Sequence, residues 1–420
     1  MRASVYLLIP LALFILVVDI YTYRGINPLI KRIKQRWIRT GLRFLYWSIS
    51  VFAFLAFVLF MVRIPHVKQA EAYVYASYLV GGFFLFYLPK LTFILFVLAK
   101  DIGSFFRWGI KQFNRKKEKK IQFKSRRKMQ RAEFLYQMGL ILAAIPFASI
   151  LYGVTRGKFN YRVMKEKLEF KNLPKSFKGF KIVQISDMHL GSFNKNYEPI
   201  EKAVELINEQ EPDLILFTGD LVNNFAEETE GWAPVLSKMK ARYGKFSILG
   251  NHDYGDYSHW ASSDAKAANL EGIKKAHHDS GFRLLLNEAE PIRINGEEIA
   301  LIGIENWGHP PFPQYGDLKK ASKNVNNIPF KILMSHDPSH WDEEVLKTDI
   351  DLTLAGHTHG MQFGIERAGI KWSPVQYKYP RWGGLYKEGK QFLYVNRGFG
   401  YIGFPGRIGM PPEITLLELN

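Results

Sequence analysis

The chain has 420 residues, of which 47% are apolar and 15% aromatic, so a fibrous or intrinsically disordered protein is excluded. At roughly 100 to 200 residues per domain, this length corresponds to two or three folded units. Lysine and arginine number 57 against 39 acidic residues, a formal net charge of +18. Cysteine is absent, which excludes disulfides, thiolate metal sites and a cysteine nucleophile but leaves the cellular compartment open.

The excess positive charge lies entirely in the first third of the chain. Residues 1–157 contain 25 basic and 5 acidic residues, a net charge of +20, whereas the remainder contains 32 and 34, a net charge of −2. We interpret the basic runs as signals of membrane topology and as sites of attraction to anionic lipid headgroups. No specific nucleic-acid partner is expected.

Four stretches in this first third approach the length of about 20 apolar residues that a membrane-spanning helix needs. They are residues 5–23, 42–62, 72–89 and 134–154. Pro89-Lys90 interrupts the third stretch, and we predict that the apolar residues 91–99 form an interfacial helix. Few ionisable residues lie within the spans, which favours an anchor over a transport pathway. Residues 1–157 are therefore predicted to be an all-α transmembrane region of about four helices.

The connections between these stretches differ in their basic charge. The first, residues 24–43, has seven Lys and Arg residues, and the second, residues 63–71, has two. The third, residues 100–131, has thirteen and includes Arg115-Lys116-Lys117. Because Lys and Arg near the ends of spans are retained in the cytoplasm, the first and third connections are expected inside. With four spans, everything after residue 154 is then expected outside the cytoplasm.

From residue 180 onward, short aliphatic runs alternate with polar or glycine turns and helical stretches. The predicted strands cover residues 181–185, 213–217, 246–249, 300–304, 331–334 and 351–354, and the predicted helices include 200–209 and 233–240. This alternation predicts βαβ units around a largely buried sheet, that is, an α/β domain over residues 158–420. Residues 156–181 are predicted to link it to the membrane region, and residues 391–419 to add further strands.

Five polar motifs stand at or just after the ends of successive predicted strands. They are Asp187-Met188-His189, Gly219-Asp220, Gly250-Asn251-His252-Asp253, His336 and Gly356-His357-Thr358-His359. Open α/β sheets gather their ligands at the carboxyl ends of the strands, so the five motifs are expected to converge on one cleft. In Asp-x-His and His-x-His, residues i and i+2 of an extended segment point the same way, so both can reach one centre.

The candidate ligands are two carboxylates, one amide oxygen and four imidazoles, with no thiolate. This set is too large for one tetrahedral ion and suits two divalent ions of the Mn, Fe, Co, Ni or Zn type that share a carboxylate. Two such ions about 3.5 to 4 Å apart clamp a phosphoryl group and lower the pKa of a water between them. The reaction indicated is hydrolytic phosphoryl transfer.

In these residues the sequence resembles the calcineurin-like metallophosphoesterase superfamily, whose pattern is Asp-x-His, Gly-Asp, Gly-Asn-His-Asp/Glu, His and Gly-His-x-His. The match covers residues 180–420, and it implies a four-layer αββα sandwich of two facing sheets with helices outside. Residues 187–191 and 407–414 look like a membrane-attached bacterial subset, which includes cell-envelope phosphodiesterases and UDP-diacylglucosamine pyrophosphatases. The membrane region is not part of this resemblance, and the resemblance points to a bacterial cell membrane as the location.

The resemblance also implies a role for each motif residue. The first metal ion would be held by Asp187, His189, Asp220 and His359, and the second by Asp220 as a bridge together with Asn251, His336 and His357. His252 would stabilise the developing charge or protonate the leaving oxygen, and Asp253 would orient His252 by a hydrogen bond. Asn223 and Met361 depart from the usual pattern without removing a ligand. The two ions are expected to be of the Mn, Fe, Ni or Zn type.

The expected function is hydrolysis of a phosphodiester or pyrophosphate, with a lipid- or envelope-linked substrate favoured because the domain is tethered near the bilayer. Two loops rich in aromatic, proline and glycine residues, 307–315 and 397–407, are predicted to form a lipid-facing rim. One alternative is a nucleotide or monoester phosphatase that acts on soluble substrates. Another is a membrane sensor that retains the fold without catalysis, although the presence of all seven ligands and His252 argues against it.

Overall fold

The computed structural model of the chain describes residues 2–113, 126–308, 313–367 and 369–420. The chain divides into two structural units. The first unit comprises Met1–Lys68 and Tyr75–Tyr152, and the second comprises Gln69–Val74 and Gly153–Asn420. The described part of the first unit is helical, whereas the second is an α/β domain.

Four long helices form the amino-terminal region: α1 (Arg2–Ile30), α2 (Arg36–Arg63), α3 (Gln69–Phe113) and α4 (Arg126–Thr155). Each has a stretch that is long and apolar enough to cross a membrane, namely Pro10–Ile30, Arg36–Arg63, Gln69–Phe113 and Ala132–Phe159. A helix satisfies its own backbone hydrogen bonds, which is why apolar sequence of this length adopts it in hydrocarbon. The prediction of four apolar helices is confirmed.

The third helix differs from its prediction. It continues through Pro89 to Phe113 without a break, so the predicted interfacial helix at 91–99 is part of α3. Proline is tolerated in a membrane-spanning helix where neighbouring helices and polar side chains satisfy the backbone groups that it frees. Here Tyr87 and Phe93, on either side of Pro89, are both fully buried. The predicted basic run Arg115-Lys116-Lys117 lies outside the described residues.

A buried ion pair joins α1 and α3. Lys90 Nζ lies 2.5 Å from Asp19 Oδ1, and the two side chains are 11% and 1% exposed. The Tyr87 hydroxyl donates to the second carboxylate oxygen at 3.2 Å, and the Tyr46 hydroxyl donates to the Asp19 carbonyl at 2.8 Å. Because an unpaired charge within a bilayer costs several kcal/mol, this pairing fixes how the helices pack.

Replacing Lys90 by Met leaves the buried Asp19 carboxylate without its counter-charge. Breaking a buried pair costs about 3 to 5 kcal/mol, so the full chain in detergent should unfold at a lower temperature. The double variant Asp19→Leu/Lys90→Met should recover most of this loss because it removes both charges. Lys202→Met, which breaks an exposed pair with Glu198, is the matched control and should change stability little. A Lys90→Met protein as stable as the unchanged chain would show that the Asp19–Lys90 ion pair does not stabilise the helices.

The second unit contains two six-stranded sheets. Sheet 1 comprises β1 (Arg162–Leu168), β2 (Phe180–Ile185), β3 (Leu214–Phe217), β4 (Lys245–Ser247), β5 (Arg283–Leu284) and β14 (Glu413–Leu419), in the order β1-β14-β2-β3-β4-β5. Sheet 2 comprises β6 (Glu288–Ile294), β7 (Glu297–Gly303), β8 (Lys331–Met334), β9 (Leu352–Ala355), β12 (Gly384–Glu388) and β13 (Gln391–Val395), in the order β12-β13-β9-β8-β7-β6. The strands β10 (Ile365–Arg367) and β11 (Ile370–Trp372) form a separate antiparallel hairpin.

Helices cover the outer faces of both sheets. They are α5 (Glu198–Asn208), α6 (Ala233–Leu236) and α7 (Ser263–Asp279) on sheet 1, and α8 (Leu318–Ser322) and α9 (Ser339–Glu343) on sheet 2. The central parallel strands are aliphatic at successive positions because both of their faces are buried. In β2, Ile182 packs between the sheets and Val183 packs under the helices. This arrangement confirms the predicted four-layer αββα sandwich.

The segment predicted to be a link contains a strand. Residues of β1 pair in parallel with β14, from Arg162 opposite Glu413 to Leu168 opposite Leu419. This strand lies at the edge of sheet 1 and has four charged residues among its seven, so its sequence resembles a polar connection more than a core strand. The α/β domain therefore begins at β1, before the aliphatic strand predicted at residues 181–185.

The strand order brings the five motifs together. The strands β2, β3 and β4 are neighbours and parallel in sheet 1, and β8 and β9 are neighbours and parallel in sheet 2. Each of these strands is followed directly by one motif. Because the carboxyl ends of parallel strands meet at one edge, five short loops from two facing sheets converge on one site.

Candidate metal centre

Three side chains form a first ligand group, in which the candidate ligand atoms of Asp187, His189 and His359 all lie within 4.8 Å of one another. His359 Nε2 is 3.2 Å from Asp187 Oδ1 and 3.0 Å from His189 Nε2. All three residues are buried. Two imidazole nitrogens and a carboxylate oxygen that face one another in this way match the donors of a mid-size divalent ion.

A second group forms around His336, with Asp220 and His357 as its other candidate ligands. His336 Nε2 is 3.2 Å from Asp220 Oδ2 and 3.1 Å from Asn251 Oδ1. Asn251 Oδ1 is also 2.8 Å from His357 Nδ1. The second group therefore presents Nε2 of His336 and Nδ1 of His357 as its candidate nitrogen ligands.

Asp220 lies between the two groups. Its Oδ2 atom is 3.2 Å from His336 Nε2 and 3.7 Å from His189 Nε2. One carboxylate oxygen thus approaches ligands of both groups, which is the position that a bridging carboxylate requires. The seven side chains singled out in the sequence lie together, and their oxygen and nitrogen donors fit two divalent ions.

Backbone carbonyls hold the ring nitrogens that point away from the groups. His189 Nδ1 is 3.1 Å from the Val222 carbonyl oxygen, and His336 Nδ1 is 2.7 Å from the Thr218 carbonyl oxygen. A carbonyl only accepts hydrogen bonds, so each Nδ1 carries its proton in the neutral ring. The lone pair of each Nε2 atom is then directed into the ligand group.

The backbone is strained at the ligands. Five of the candidate residues have positive φ angles, namely 54° at Asp187, 47° at His189, 61° at Asp220, 69° at His357 and 53° at His359. Residues other than glycine rarely adopt this left-handed conformation, which costs of order 1 to 3 kcal/mol per residue. Strain concentrated at chemically related side chains is typical of functional sites, where the surrounding structure enforces it.

Two motif glycines are required by close packing against the carboxylates. A Cβ atom at Gly250 would overlap Asp220 Oδ1, and one at Gly356 would overlap Ser186 Oγ and the Asp187 carboxylate. The glycines beside the asparagine and histidine ligands therefore let neighbouring strand ends approach within contact distance.

Charge balance in the site depends on the histidines. Burial by itself raises the pKa of Asp187 and Asp220, but neighbouring imidazoles outweigh it and hold both pKa values below their ordinary range. Burial lowers the pKa of His336, but the Asp220 carboxylate outweighs burial and raises this pKa to about 10. In the metal-free protein the His336 proton therefore supplies positive charge that a bound ion would otherwise supply.

This charge balance predicts that metal binding competes with a proton. Since the pKa of His336 is about 10, the ring is protonated at neutral pH and must release its proton to bind an ion. We expect about one proton released per protein from this residue, and an apparent affinity that rises with pH until about pH 10. Calorimetric titration with Mn²⁺ in two buffers of different ionisation enthalpy measures the release. A binding enthalpy independent of the buffer would contradict it.

His252 borders the ligand groups and is half-buried, unlike most of the ligands. Its Nδ1 atom donates to the Asn223 carbonyl oxygen at 2.7 Å. Its backbone N–H donates to Asp220 Oδ1 at 2.9 Å. The ring is thus held at one nitrogen, and Nε2 is left for a substrate oxygen, as a proton donor requires.

Asp253 has a different partner from the one predicted. Its carboxylate accepts the backbone N–H groups of Asp220 and Gly250, each at 2.9 Å, and does not hold the His252 ring. The ring is held by the Asn223 carbonyl, because residue 253 turns back toward the strand ends. Burial and the nearby Asp220 carboxylate raise the pKa of Asp253 to about 7. Asp253 therefore fixes the bridging-ligand loop and acts on His252 only indirectly.

Glu228 is a positioning residue that the motif analysis missed. Its buried carboxylate accepts backbone N–H groups from Asn223 at 2.6 Å, Asn224 at 2.9 Å and Phe225 at 3.0 Å. This loop supplies the carbonyl that holds His252. A glutamate at the third position of a helical turn is one half of the capping-box pattern, but Phe225 stands where that pattern has Ser or Thr, so the sequence carries only a partial signal.

Replacing Glu228 by Gln places an amide group among three backbone donors, so the loop of Asn223 loses part of its support. We expect turnover to fall by about 10- to 100-fold, as for other residues that orient ligands, while the metal content is retained. Measured kcat and bound metal per chain test this expectation. Glu230→Gln, at a nearby exposed glutamate, is the matched control. Unchanged kcat in Glu228→Gln would show that the loop holds His252 without this carboxylate.

Two tyrosines that no sequence motif indicated also contact the ligands. The Tyr379 hydroxyl is 2.8 Å from His357 Nε2, and the Tyr257 hydroxyl accepts a hydrogen bond from Asn251 Nδ2 at 2.9 Å. The second bond turns the Asn251 amide so that its oxygen faces the second group. Both tyrosines come from irregular segments, where the sequence has no periodicity to reveal them.

Two aromatic residues of the predicted lipid-facing rim, Trp307 and Tyr401, are buried, whereas Tyr315 is 37% exposed. Trp307 is buried, and its indole N–H donates to Glu344 at 3.2 Å. Tyr401 is also buried, and its hydroxyl donates to a backbone carbonyl. His309 and Phe312 of the first loop lie outside the described residues. Trp307 and Tyr401 are packed into the domain because their polar atoms find partners there.

The four-layer sandwich and its paired ligand groups define the class of protein: a metal-dependent phosphoric ester hydrolase. Residues 1–158 match the family described as "Probable Calcineurin-like phosphoesterase, transmembrane domain", and residues 180–361 match "Calcineurin-like phosphoesterase". The membrane region, which the five motifs do not cover, thus has a family match of its own.

Curated relatives extend this assignment. The chain is 32% identical over 305 residues to "Uncharacterized metallophosphoesterase YkuE" of Bacillus subtilis, across 70% of this chain and 99% of that protein. It is 30% identical over 293 residues to "Transmembrane protein with metallophosphoesterase domain" of Danio rerio, across 67% of this chain and 62% of that protein. The chain belongs to the calcineurin-like metallophosphoesterase family. Among solved structures, NAD nucleotidase of Haemophilus influenzae aligns at 16% identity and a TM-score of 0.36, over 53% of this chain and 45% of that chain.

The protein is therefore a membrane-linked metallophosphoesterase, and the predicted family, fold class and enzyme class are confirmed. The assignment of each ligand to one of two ions stays a prediction, as do the identity of the ions and the role of His252.

Proposed function

We propose that this enzyme hydrolyses a phosphodiester or pyrophosphate that is part of the membrane or envelope, on the extracytoplasmic side. The observation that carries the proposal is the position of Asp220 Oδ2, which lies 3.2 Å and 3.7 Å from histidines of the two ligand groups. A carboxylate shared in this way suits a pair of ions, and a pair of ions suits a phosphoryl group with two reacting oxygens.

Each part of the site has a role in this proposal. When bound, two divalent ions would neutralise charge on the phosphoryl oxygens and lower the pKa of a water. The seven candidate ligands would hold the ions, and Asp220 would be shared between the two groups. His252 faces the substrate with Nε2 and gives a proton to the leaving oxygen, while the Asn223 carbonyl keeps the ring in place.

Two observations support the extracytoplasmic side. The basic residues concentrate in the first and third connections between spans, which indicates that these connections are cytoplasmic. With four spans, the α2–α3 connection and the chain after α4 are then on the opposite side. Consistent with this, Gln69–Val74 at the start of α3 belongs to the same structural unit as the catalytic domain.

A diester or pyrophosphate of the membrane is favoured over a soluble monoester for one reason. The catalytic domain is tied to four apolar helices, which keeps it near substrates embedded in the bilayer. His252 is suited to protonate a poor leaving group such as an alkoxide, and this role is the same for a diester and a monoester. Hydrolysis of soluble nucleotides or monoesters is the second candidate function. The ligand groups would bind the phosphoryl group of either class of substrate, so they do not distinguish a diester from a monoester.

The first test is hydrolysis of bis-p-nitrophenyl phosphate and p-nitrophenyl phosphate by the full chain in detergent, with and without Mn²⁺. We expect metal-dependent turnover that is higher on the diester and is abolished in Asp220→Asn. His252→Ala should lower turnover of an alkyl phosphodiester by about 10² to 10⁴, and lower it less on the p-nitrophenyl ester, whose leaving group needs no proton. His278→Ala, at an exposed histidine, is the matched control.

Three results would contradict parts of the proposal. A folded full chain that binds metal and hydrolyses neither ester with any divalent ion would favour a binding role for the domain. Faster turnover of the monoester would favour the second candidate. Equal losses on both diesters in His252→Ala would assign His252 to charge stabilisation and not to proton donation.

A further inference from the structure

Apolar side chains are exposed at one place on the second unit close to the metal site. Five residues that directly follow the last ligand motif are largely exposed: Met361 at 58%, Phe363 at 41%, Ile365 at 51%, Ile370 at 59% and Tyr377 at 80%. Five exposed apolar side chains within 17 residues are unusual on a soluble face and are typical of an interaction surface.

The β10–β11 hairpin has an inner and an outer face. Glu366 and Lys371 are opposite one another in the register and point inward, where Glu366 accepts from Arg397 at 2.7 Å and Lys371 donates to the Gly383 carbonyl. The alternate residues point outward. Ile365 is opposite Trp372, and Arg367 is opposite Ile370. The outer face therefore carries three apolar side chains and one cation.

Phe363 extends this outer face, since its ring lies 6.1 Å from the Trp372 ring in an edge-on arrangement. We call Phe363, Ile365, Arg367, Ile370 and Trp372 the outer hairpin face. Its composition, with large aliphatic side chains, an aromatic pair and an arginine, is that of segments that enter the headgroup region of a bilayer.

Contacts within the second unit connect this face to the end of α4. The Arg407 N–H donates to the Gly153 carbonyl at 3.2 Å, and a Cβ at Gly153 would lie 2.7 Å from Ile408. Ile408 in turn forms a bridge with Phe363. Gly153 itself lies within Ala132–Phe159, the helical stretch long and apolar enough to span the membrane. The hairpin is thus attached beside a residue of the fourth span.

The outer hairpin face is also next to the metal ligands. Met361 is only two residues beyond His359, and the Ser373 hydroxyl, directly after β11, donates to the Gly360 carbonyl at 2.9 Å. A surface that rests on the bilayer here would place the ligand groups at the level of lipid headgroups, where phosphodiesters are concentrated.

We propose that the outer hairpin face is a membrane-docking surface, which inserts its apolar side chains among the lipids and places the metal site beside a lipid phosphodiester. The partner is the bilayer, because the face is joined through Ile408 to Gly153 at the end of a stretch that can span a membrane, and because it combines aliphatic and aromatic side chains with Arg367, whose charge suits anionic headgroups. The lipid phosphodiester substrate in this inference rests on the proposed phosphodiesterase function. The docking of the face to the bilayer does not depend on that function.

The absence of cysteine from the chain allows a direct test of docking. Ile370→Cys in the full chain is labelled with an environment-sensitive fluorophore and reconstituted in nanodiscs that contain lipids with nitroxide groups on their acyl chains. We expect a blue-shifted emission that the nitroxides quench. Arg293→Cys on the β6–β7 hairpin is the control, because it lies at the strand ends opposite the metal site, and its label should stay in water.

A second arm tests the substrate. Ile365→Ser/Ile370→Ser should lower turnover of a phospholipid in nanodiscs by at least about tenfold and change turnover of bis-p-nitrophenyl phosphate less than about twofold. Glu290→Ser/Arg293→Ser on β6 is the matched control double variant. A label quenched at residue 370, together with no turnover of any phosphodiester, would uphold docking and overturn the proposed function alone.

Other outcomes overturn the docking proposal. An unquenched label at residue 370 that remains fully exposed to water would do so directly. Efficient cross-linking between two Ile370→Cys chains, without quenching, would assign the face to a second copy of this protein. Equal losses of turnover on the lipid and on the soluble diester would overturn the proposed role of this face in presenting a lipid substrate.

Discussion

The structure depends on the burial of Asp187 and Asp220 at one point between two sheets. Two carboxylates that are both removed from water repel one another, and each costs several kcal/mol unless positive charge compensates it. Four imidazoles surround them, and in the metal-free protein the raised pKa of His336 supplies a proton as the counter-charge. The same arrangement offers oxygen and nitrogen donors to two divalent ions. A bound cation would supply the same compensating charge that the His336 proton supplies, which is why this arrangement suits a metal site.

Holding such a site requires support from the backbone on every side. The ligands occupy left-handed conformations, and Gly250 and Gly356 permit contacts that any side chain would block. Two further buried carboxylates, Asp253 and Glu228, accept backbone N–H groups and fix the loops that follow β3 and β4. Function here uses few side chains directly, and many more groups serve to keep those few in a strained arrangement.

The membrane region solves a related problem in a different solvent. Asp19 and Lys90 neutralise one another among apolar helices, with Tyr87 and Tyr46 as additional hydrogen-bond partners. In both units, the buried carboxylates described above are compensated by opposite charge or by backbone N–H groups. In the second unit, apolar side chains remain exposed beside the metal site, and the outer hairpin face is the part of the domain best suited to meet lipid.

The sequence by itself determined the four apolar helices, an α/β domain and the ligand types, because hydropathy, strand periodicity and strand-end motifs are local signals. The four-layer arrangement was implied only by the resemblance of the motifs to a known family. Only the tertiary structure decided that the Asn223 carbonyl, and not Asp253, holds His252, and that Glu228 supports this loop. It also decided that Trp307 is buried while the β10–β11 hairpin is exposed. These features depend on the paths of irregular loops between elements, where backbone groups of any residue type serve as partners and no pattern of side chains records the contact.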